Sequence, residues 1–119
     1  MEKAIKQGDI LYINLEPAKG NETKKSRPCV VVSNDQYNQI FNTVIIVPIS
    51  SSDKYRQKKY LISPFFIEVR TKNKTITGTA LLQHLRSIDP LARATTQYPI
   101  DQLESGALKE VTVNLAQYF

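Results

Sequence analysis

The chain has little of the residue chemistry on which many enzymes depend. Its 119 residues include one cysteine, one histidine and four glycines, and there is no tryptophan. A single cysteine excludes an internal disulfide, and together with a single histidine it is a poor basis for a zinc site, so we expect no structural metal. The glycines are isolated from one another, so no glycine-rich loop is available to hold a nucleotide phosphate. They are Gly8, Gly20, Gly78 and Gly106.

Long apolar segments are also lacking. Nowhere do eighteen apolar residues run together, and the first fifteen residues, MEKAIKQGDILYINL, contain no apolar core of a signal peptide. We therefore expect neither a signal peptide nor a membrane span, and we expect the protein to be cytoplasmic. Because the sequence has no repeat, low-complexity tract or linker, we expect one domain over residues 1–119.

Positive charge is in excess and is unevenly distributed. The chain has 16 Lys and Arg against 11 Asp and Glu, a formal net charge of +5 and an isoelectric point of about 9.4. Residues 19–74 hold eleven of the basic and four of the acidic residues, a net of +7, which leaves −2 for the remainder. A basic surface favours a polyanion or an acidic peptide as partner over a neutral metabolite.

The first half of the chain has the patterns of β-strands. Residues 9–15 (DILYINL) alternate and are rich in β-forming residues, which predicts a first strand. Residues 28–34 (PCVVVSN) and 43–49 (TVIIVPI) are β-branched runs without a helical period, which predicts strands buried on both faces. Between them, residues 35–41 (DQYNQIF) can form one or two helical turns.

The second half is more mixed. Residues 60–69 (YLISPFFIEV) are typical of a strand, although Pro64 requires an edge position, a break or a bulge. Residues 79–88 (TALLQHLRSI) are ambiguous between strand and helix, and we predict a strand.

The C-terminal residues have a helical period. Asp101, followed three residues later by Glu104, resembles a capping box, so we predict an amphipathic helix here. The apolar positions that recur every four residues are Leu103, Ala107, Val111 and Leu115. About five strands and one terminal helix in a chain of this size predict a mainly β fold, in which a small antiparallel sheet closes or nearly closes into a barrel.

The remaining candidates for chemistry are an arginine and several hydroxyl groups. Arg27 ends a polar loop, and Pro28 favours an extended backbone at Arg27. Ser50, Ser51 and Ser52 follow a predicted strand and precede four basic residues. If the two strands are neighbours, the arginine and the serines can line one groove. The four basic residues are Lys54, Arg56, Lys58 and Lys59.

Four segments, in order, resemble the MazF/PemK toxins of bacterial toxin–antitoxin modules: GDILYINLEPAKGNE, SRPCVVVSND, TVIIVPISS and LLQHLRSID. The resemblance covers nearly the whole chain. It implies a homodimer of small SH3-like barrels (the CcdB/MazF/PemK toxin fold), and an endoribonuclease that needs no metal or cofactor. It also implies cleavage of single-stranded RNA, not DNA, to a 2′,3′-cyclic phosphate and a 5′-hydroxyl. The implied partner is an antitoxin with a disordered acidic segment.

The resemblance also implies site residues. Arg27 matches the arginine of the family's Arg-Pro motif and would hold the phosphate, while Ser50 stands where members commonly have threonine and would donate a hydrogen bond to it. Glu22 matches the acid of the first loop and is a candidate base or substrate-positioning group. Many relatives have an acid followed by glutamine where this chain has Gln83 and His84. His84 titrates near neutrality and is a candidate acid or base.

Candidates for contact with the RNA itself form a larger set of basic and polar residues. They are Lys24, Lys25, Ser51, Ser52, Lys54, Arg56, Lys58, Gln83 and Arg86. Tyr37, Tyr55 and Tyr60 are able to stack on bases, although packing within the fold is an equal alternative.

Two other functions stay open from the residues alone. One is a CcdB-like poison that traps a DNA topoisomerase without catalysis, and the other is an inactive nucleic-acid-binding barrel. The retained Arg27 argues against the poison, which needs no phosphate-binding arginine, whereas the departures at Gln83 and His84 leave the inactive barrel open.

Overall fold

The computed structural model describes residues 5–16, 20, 26–96 and 98–119. The strands within these ranges are β1 (Asp9–Asn14), β2 (Ser26–Val31), β3 (Val44–Ser50), β4 (Phe66–Glu68), β5 (Thr79–Leu81), β6 (Arg86–Ile88) and β7 (Asp101–Gln102). The helices are α1 (Asp35–Ile40), α2 (Lys58–Leu61), α3 (Pro90–Arg93) and α4 (Ser105–Ala116). Two 3₁₀ turns lie at Asp53–Arg56 and Leu82–His84.

The strands form one curled antiparallel sheet in the order β4-β5-β3-β2-β1-β7, with β6 also paired to β3. The two ends of this order approach each other, because Thr71, just after β4, forms a bridge with Leu103, just after β7. Beside it, the Lys72 N–H donates to the Gln102 carbonyl oxygen at 2.8 Å. The nearly closed barrel predicted from the sequence is therefore confirmed.

The central strands are buried on both faces, as their β-branched sequences predict. Val30 of β2 and Val47 of β3 belong to a first core cluster that packs against α4, whereas Val31 and Ile46 belong to a second cluster on the other face. Burying a side chain of this size contributes about 1.5–3 kcal/mol. The site-bearing part of the sheet thus has support from both sides.

Several elements agree with the sequence patterns. Strands β1, β2 and β3 fall within or beside the predicted segments, and α1 occupies the predicted helical turns. Asn34 caps α1, since its Oδ1 accepts a hydrogen bond from the Tyr37 N–H at 2.8 Å. The strand predicted over 28–34 is displaced toward the N-terminus, since β2 spans Ser26–Val31.

The prediction of one strand over residues 60–69 is wrong in its first half. Residues Lys58–Leu61 form the short helix α2, in which Tyr60 packs edge-on against the Phe66 ring, with centroids 5.2 Å apart. Pro64 lies between α2 and β4, and β4 is at one end of the strand order. Of the three alternatives predicted from the proline, the structure has a break in the strand at Pro64 and an edge position for β4.

The strand predicted over residues 79–88 is interrupted. Both halves pair with β3. If the register of the Ser50–Thr79 pair continued without a break, Gln83 would lie opposite Ile46. The residue found opposite Ile46 is instead Arg86. The 3₁₀ turn Leu82–His84 thus inserts three residues. Sequence alternation does not reveal such an insertion.

The predicted helix is confirmed in α4, whose buried residues are Ala107, Val111 and Leu115. The predicted capping box is wrong. Glu104 immediately precedes the helix without a side-chain capping bond, and Asp101 lies in β7. The Asp101 carboxylate is used elsewhere, because it accepts hydrogen bonds from Thr75 and from the Asn73 N–H.

Across the described parts of the chain, no helix combines the length and apolar character required to span a lipid bilayer.

Candidate nucleic-acid interface

Arg27 and Ser50 lie at the same edge of the sheet. Strands β2 and β3 are antiparallel neighbours, with Cys29 opposite Pro48. The start of β2 and the end of β3 therefore coincide, and Arg27 and Ser50 each lie two residues beyond that pair in the same direction. The neighbouring strands that a shared groove requires are present.

The two side chains also lie on the same face. Arg27 is opposite Ile13 of β1, which belongs to the second core cluster. In β3, Ile49 belongs to the first cluster, so alternation directs Ser50 to the other face. The guanidinium and the hydroxyl thus belong to the face that carries the second cluster, at its polar end.

The local structure fixes the Ser50 hydroxyl. Ser50 is only 5% exposed, and its Oγ accepts a hydrogen bond from the Ser52 N–H at 3.2 Å. That bond occupies the oxygen as an acceptor and leaves the hydroxyl hydrogen for another acceptor. The Ser50 oxygen is thus held at the strand end, and its hydrogen can be donated to an anionic oxygen.

A surface pocket of about 220 Å³ adjoins the same strand ends, and its lining includes residues of the opposite face, such as Ile49 of the first cluster. Ser51, which is exposed, contributes to its lining, whereas Ser50 does not. Sequence reasoning missed Tyr12 and Thr77 in this lining. The alternation of β1 could have directed attention to Tyr12, but the position of Thr77 depends on the pairing of β5. The lining residues are Tyr12, Ser26, Arg27, Pro28, Ile49, Ser51 and Thr77.

The single cysteine lies beneath this edge and is not a reactive group. Burial raises the pKa of the Cys29 thiol from 9.0 to about 12, although the positive charges of Arg27 and Arg86 act in the opposite direction. Its Sγ lies 3.5 Å from the Arg27 carbonyl oxygen. A neutral, buried thiol is not a nucleophile, so Cys29 serves as a small core residue.

The basic segment after β3 forms a short ordered turn. Ser52 caps this turn, since its Oγ accepts from the Lys54 N–H at 3.3 Å. The Lys54 ammonium lies 5.3 Å from the centroid of the Tyr55 ring and 5.9 Å from that of Tyr60. Such cation–π contacts restrict a lysine to the space above the rings. The segment thus presents charge beside aromatic surface.

The other residues of this segment differ in their partners. Arg56 forms an exposed ion pair with Asp53 at 3.7 Å, and the Lys59 ammonium lies 5.1 Å from the Tyr60 ring centroid. An exposed pair of this kind contributes at most about 1 kcal/mol, so Arg56 can exchange Asp53 for another anion. Lys58 is exposed at the start of α2.

The candidate tyrosines pack within the fold. Tyr55 stacks on Phe66 with ring centroids 5.3 Å apart, and Tyr60 meets both rings edge-on. Tyr37 packs against Phe41 with centroids 4.6 Å apart, away from this cluster. Tyr55 and Tyr60 are half-buried, so each combines a packing role with an accessible edge.

Gln83, His84 and Arg86 lie in or just after the turn inserted between β5 and β6. Gln83 is exposed and His84 is half-buried, and neither contributes to the pocket beside Arg27. Arg86 Nη1 donates to the Leu15 carbonyl oxygen at 3.4 Å and so connects β6 to the end of β1. The candidates Glu22, Lys24 and Lys25 lie outside the described residues.

The fold and this edge define a small β-barrel that carries an arginine and a serine hydroxyl on one face of neighbouring strand ends, followed in the chain by a basic and aromatic segment. Residues 6–119 match the family described as the PemK-like, MazF-like toxin of type II toxin–antitoxin systems. The chain belongs to this family.

Two relatives from Escherichia coli are consistent with this family membership. The chain is 27% identical over 90 residues to the endoribonuclease PemK of Escherichia coli, a match that covers 75% of this chain and 64% of PemK. The matched part thus spans less than two thirds of PemK. It is 32% identical over 90 residues to the endoribonuclease toxin MazF of Escherichia coli K12, covering 76% of this chain and 73% of that protein.

Solved structures show the same fold. MazF of Deinococcus radiodurans superposes with a TM-score of 0.77 at 24% identity, over 96% of this chain and 94% of that one. The same toxin within a MazE–MazF complex superposes with a TM-score of 0.72 over the same shares. The expectation of the MazF/PemK toxin fold is confirmed.

Proposed function

We propose that this chain is an endoribonuclease toxin that cleaves single-stranded RNA without a metal ion and is neutralised by a cognate antitoxin. The observation that carries the proposal is the placement of Arg27 and Ser50 on one face of neighbouring strand ends. The endoribonuclease names of the relatives PemK and MazF support it.

The proposed reaction is a transesterification. The ribose 2′-oxygen attacks the adjacent phosphorus while the bond from phosphorus to the 5′-oxygen breaks. The products are a 2′,3′-cyclic phosphate and a 5′-hydroxyl end. A base accepts the proton of the 2′-hydroxyl, and an acid donates a proton to the leaving oxygen.

The roles follow from the chemistry of each side chain. Arg27 stays protonated, so it neutralises the charge that builds on the phosphate oxygens, and Ser50 donates its free hydroxyl hydrogen to one of them. Glu22 and His84 are the candidates for the base and the acid. A requirement for the 2′-hydroxyl also explains why DNA would not be cut.

The proposed partners follow from the same surface. Single-stranded RNA would follow the basic turn that contains Lys54, Arg56 and Lys58 toward Arg27. An acidic antitoxin segment would occupy this surface and exclude the RNA, which is consistent with the MazE–MazF complexes among the structural neighbours. We further propose a homodimer that acts on messenger RNA in the cytoplasm and thereby stops translation and growth.

The test is cleavage of a long RNA and a DNA of matching sequence in EDTA by the wild type and Arg27→Ala. Arg70→Ala is the matched control, since Arg70 is an exposed arginine that pairs with Glu104 and Glu110 of the C-terminal part. We expect RNA-only cleavage by the wild type and the control, and a loss of at least 100-fold in Arg27→Ala, the scale of an oxyanion-stabilising donor. Growth arrest without any RNA cleavage would overturn the proposal.

A further inference from the structure

Three side chains form one row across β3, β5 and β4. Ser50 is directly opposite Thr79, and Thr79 is directly opposite Glu68. Directly opposed residues of antiparallel strands have side chains on the same face, about 5 Å apart at Cβ. Glu68 therefore lies about 10 Å from Ser50, two strands away on the same face.

The row contains polar groups that the fold itself does not use. The Thr79 hydroxyl is buried and has no hydrogen-bond partner among the described residues. Glu68 is exposed, and its carboxylate forms no hydrogen bond or ion pair with any residue in the described ranges. A negative group in the most basic part of the chain opposes phosphate binding at that point, so a ligand group that donates hydrogen bonds suits Glu68 better than a phosphate does.

An aromatic ring adjoins the carboxylate. Phe66 precedes Glu68 by two residues in β4, which places both side chains on the same face, about 7 Å apart along the strand. Phe66 is held by its stacking on Tyr55 and its edge contact with Tyr60. Phe66 is half-buried, so part of the ring is accessible beside the carboxylate. An accessible aromatic ring and an acceptor at this spacing provide the two kinds of contact by which proteins bind an unpaired base, aromatic contact and edge recognition.

The chemistry of a carboxylate determines which base edge it accepts. Ionised Glu68 can only accept hydrogen bonds, and it can accept two side by side. Guanine presents two adjacent N–H donors, the ring N1–H and the 2-amino group. Adenine and cytosine present one amino group beside an acceptor nitrogen. Uracil presents a single N–H between two carbonyl oxygens, which repel the carboxylate.

We propose that Glu68 and Phe66 form a nucleobase subsite on the same face as Arg27 and Ser50, about 10 Å from Ser50, and that this subsite favours guanine and disfavours uracil. The proposal rests on the proposed function, because it concerns the RNA next to the phosphate that Arg27 holds. It assigns one position of the recognition sequence to β4. Glu68 acts as a specificity residue and takes no part in bond cleavage.

The test uses 2′-O-methyl trinucleotides, which cannot be cleaved, with uridine at both ends and each of the four bases in the middle. Their affinities are measured by titration calorimetry for the wild type, Glu68→Gln and Glu110→Gln. Glu110→Gln is the matched control, since it makes the same charge change on α4. Glu68 is exposed, so its replacement leaves the core unchanged.

We expect the wild type and Glu110→Gln to bind the guanine trinucleotide roughly tenfold more tightly than the uridine one, within the range of one bidentate contact. Glu68→Gln should lose most of this difference. A different order of preference, or one that is unchanged in Glu68→Gln, would overturn the subsite.

A second measurement separates this proposal from the proposed function. Cleavage of a randomised RNA pool is sequenced for the same three proteins. If RNA is cut and Glu68→Gln cuts the same sequences as the wild type, the subsite fails and the nuclease stands. If nothing is cut but the trinucleotide preference depends on Glu68, the nuclease fails and the subsite stands.

Discussion

Gly78 packs directly against the backbone of Ser50. A methyl group on Gly78 would collide with the Ser50 carbonyl oxygen and would lie 3.0 Å from the Ile49 Cγ2 atom. Gly78 also has a φ of +140°, a conformation that residues with a side chain rarely adopt. The glycine thus allows β5 to approach β3 at the strand end that carries the proposed catalytic hydroxyl.

Gly78→Ala should destabilise the protein by about 2 kcal/mol or more, because both the strained conformation and the collision oppose it. Urea unfolding measures this change in the free energy of unfolding. The matched control is Gly106→Ala near the start of α4, where the added methyl group meets no atom within 4 Å apart from those of its chain neighbours and its own helix backbone. That variant should be more stable than the wild type by about 0.5–1 kcal/mol. Equal effects of the two substitutions would contradict the packing described here.

Asp101 stabilises the loop before β5 through hydrogen bonds to its charged form. Burial opposes ionisation, but bonds from the Thr75 hydroxyl and from the Gln102 and Asn73 amides outweigh it and hold the pKa of Asp101 well below its ordinary value of 3.8. Asp101→Asn should cost about 2 kcal/mol of unfolding free energy. Exposed Asp53→Asn should change it little.

The pH dependence of this effect has a defined sign. A carboxyl whose pKa is lower in the folded state than in the unfolded chain stabilises the fold above its ordinary pKa. The stability difference between the wild type and Asp101→Asn should therefore be constant at neutral pH and shrink as the pH falls below 3.8. Urea unfolding at a series of pH values tests this, and a difference that grows on acidification would contradict it.

Cys29 should not react with thiol reagents in the folded protein. It is 0% exposed, and its pKa of about 12 keeps it protonated at pH 8. Ellman's reagent should detect no thiol until denaturant unfolds the chain, when it should detect one. The Lys109→Cys variant, with a thiol at an exposed position of α4, should show one fast-reacting thiol before unfolding. Fast labelling of the wild type would show that Cys29 is accessible.

Lys58 should contribute one phosphate contact to RNA binding. Unlike Lys54 and Arg56, it makes no contact with a ring or an acid among the described residues. For single strands, each contact changes the slope of log affinity against log salt by about 0.7. Lys58→Ala should reduce the slope for a 2′-O-methyl RNA by that amount, whereas Lys109→Ala on α4 should leave it unchanged. Identical slopes for Lys58→Ala and the wild type would remove Lys58 from the interface.

Much of the fold can be predicted from the sequence, because the apolar runs around Val30 and Val47 need partners on both faces, and the curled sheet with the helix α4 packed against it provides them. The errors have a common cause. The turn at Leu82–His84 and the role of Asp101 depend on contacts with residues distant in sequence, such as Thr75. Local sequence patterns contain no information about contacts between residues that are distant in the chain.

The placement of two candidate site residues at one sheet edge can also be predicted, although their roles stay predictions. The residues flanking the apolar runs pointed to Arg27 and Ser50, since strand ends are where polar groups meet a sheet edge. Thr77 and Glu68 were not predicted, because their positions depend on which strand pairs with β3 and in which register. Pairing between strands distant in the chain is the information that the single sequence lacks.

The proposed reaction requires the RNA 2′-hydroxyl to attack the phosphate held by Arg27. The most direct test is an RNA oligonucleotide that contains a mapped cut site, compared with the same oligonucleotide carrying a single 2′-deoxy residue immediately 5′ to the cut. In EDTA, we expect cleavage of the first only, with 5′ ends that polynucleotide kinase labels without prior phosphatase treatment. Cleavage of the 2′-deoxy oligonucleotide, or products with 5′-phosphate ends, would rule out attack by the 2′-hydroxyl.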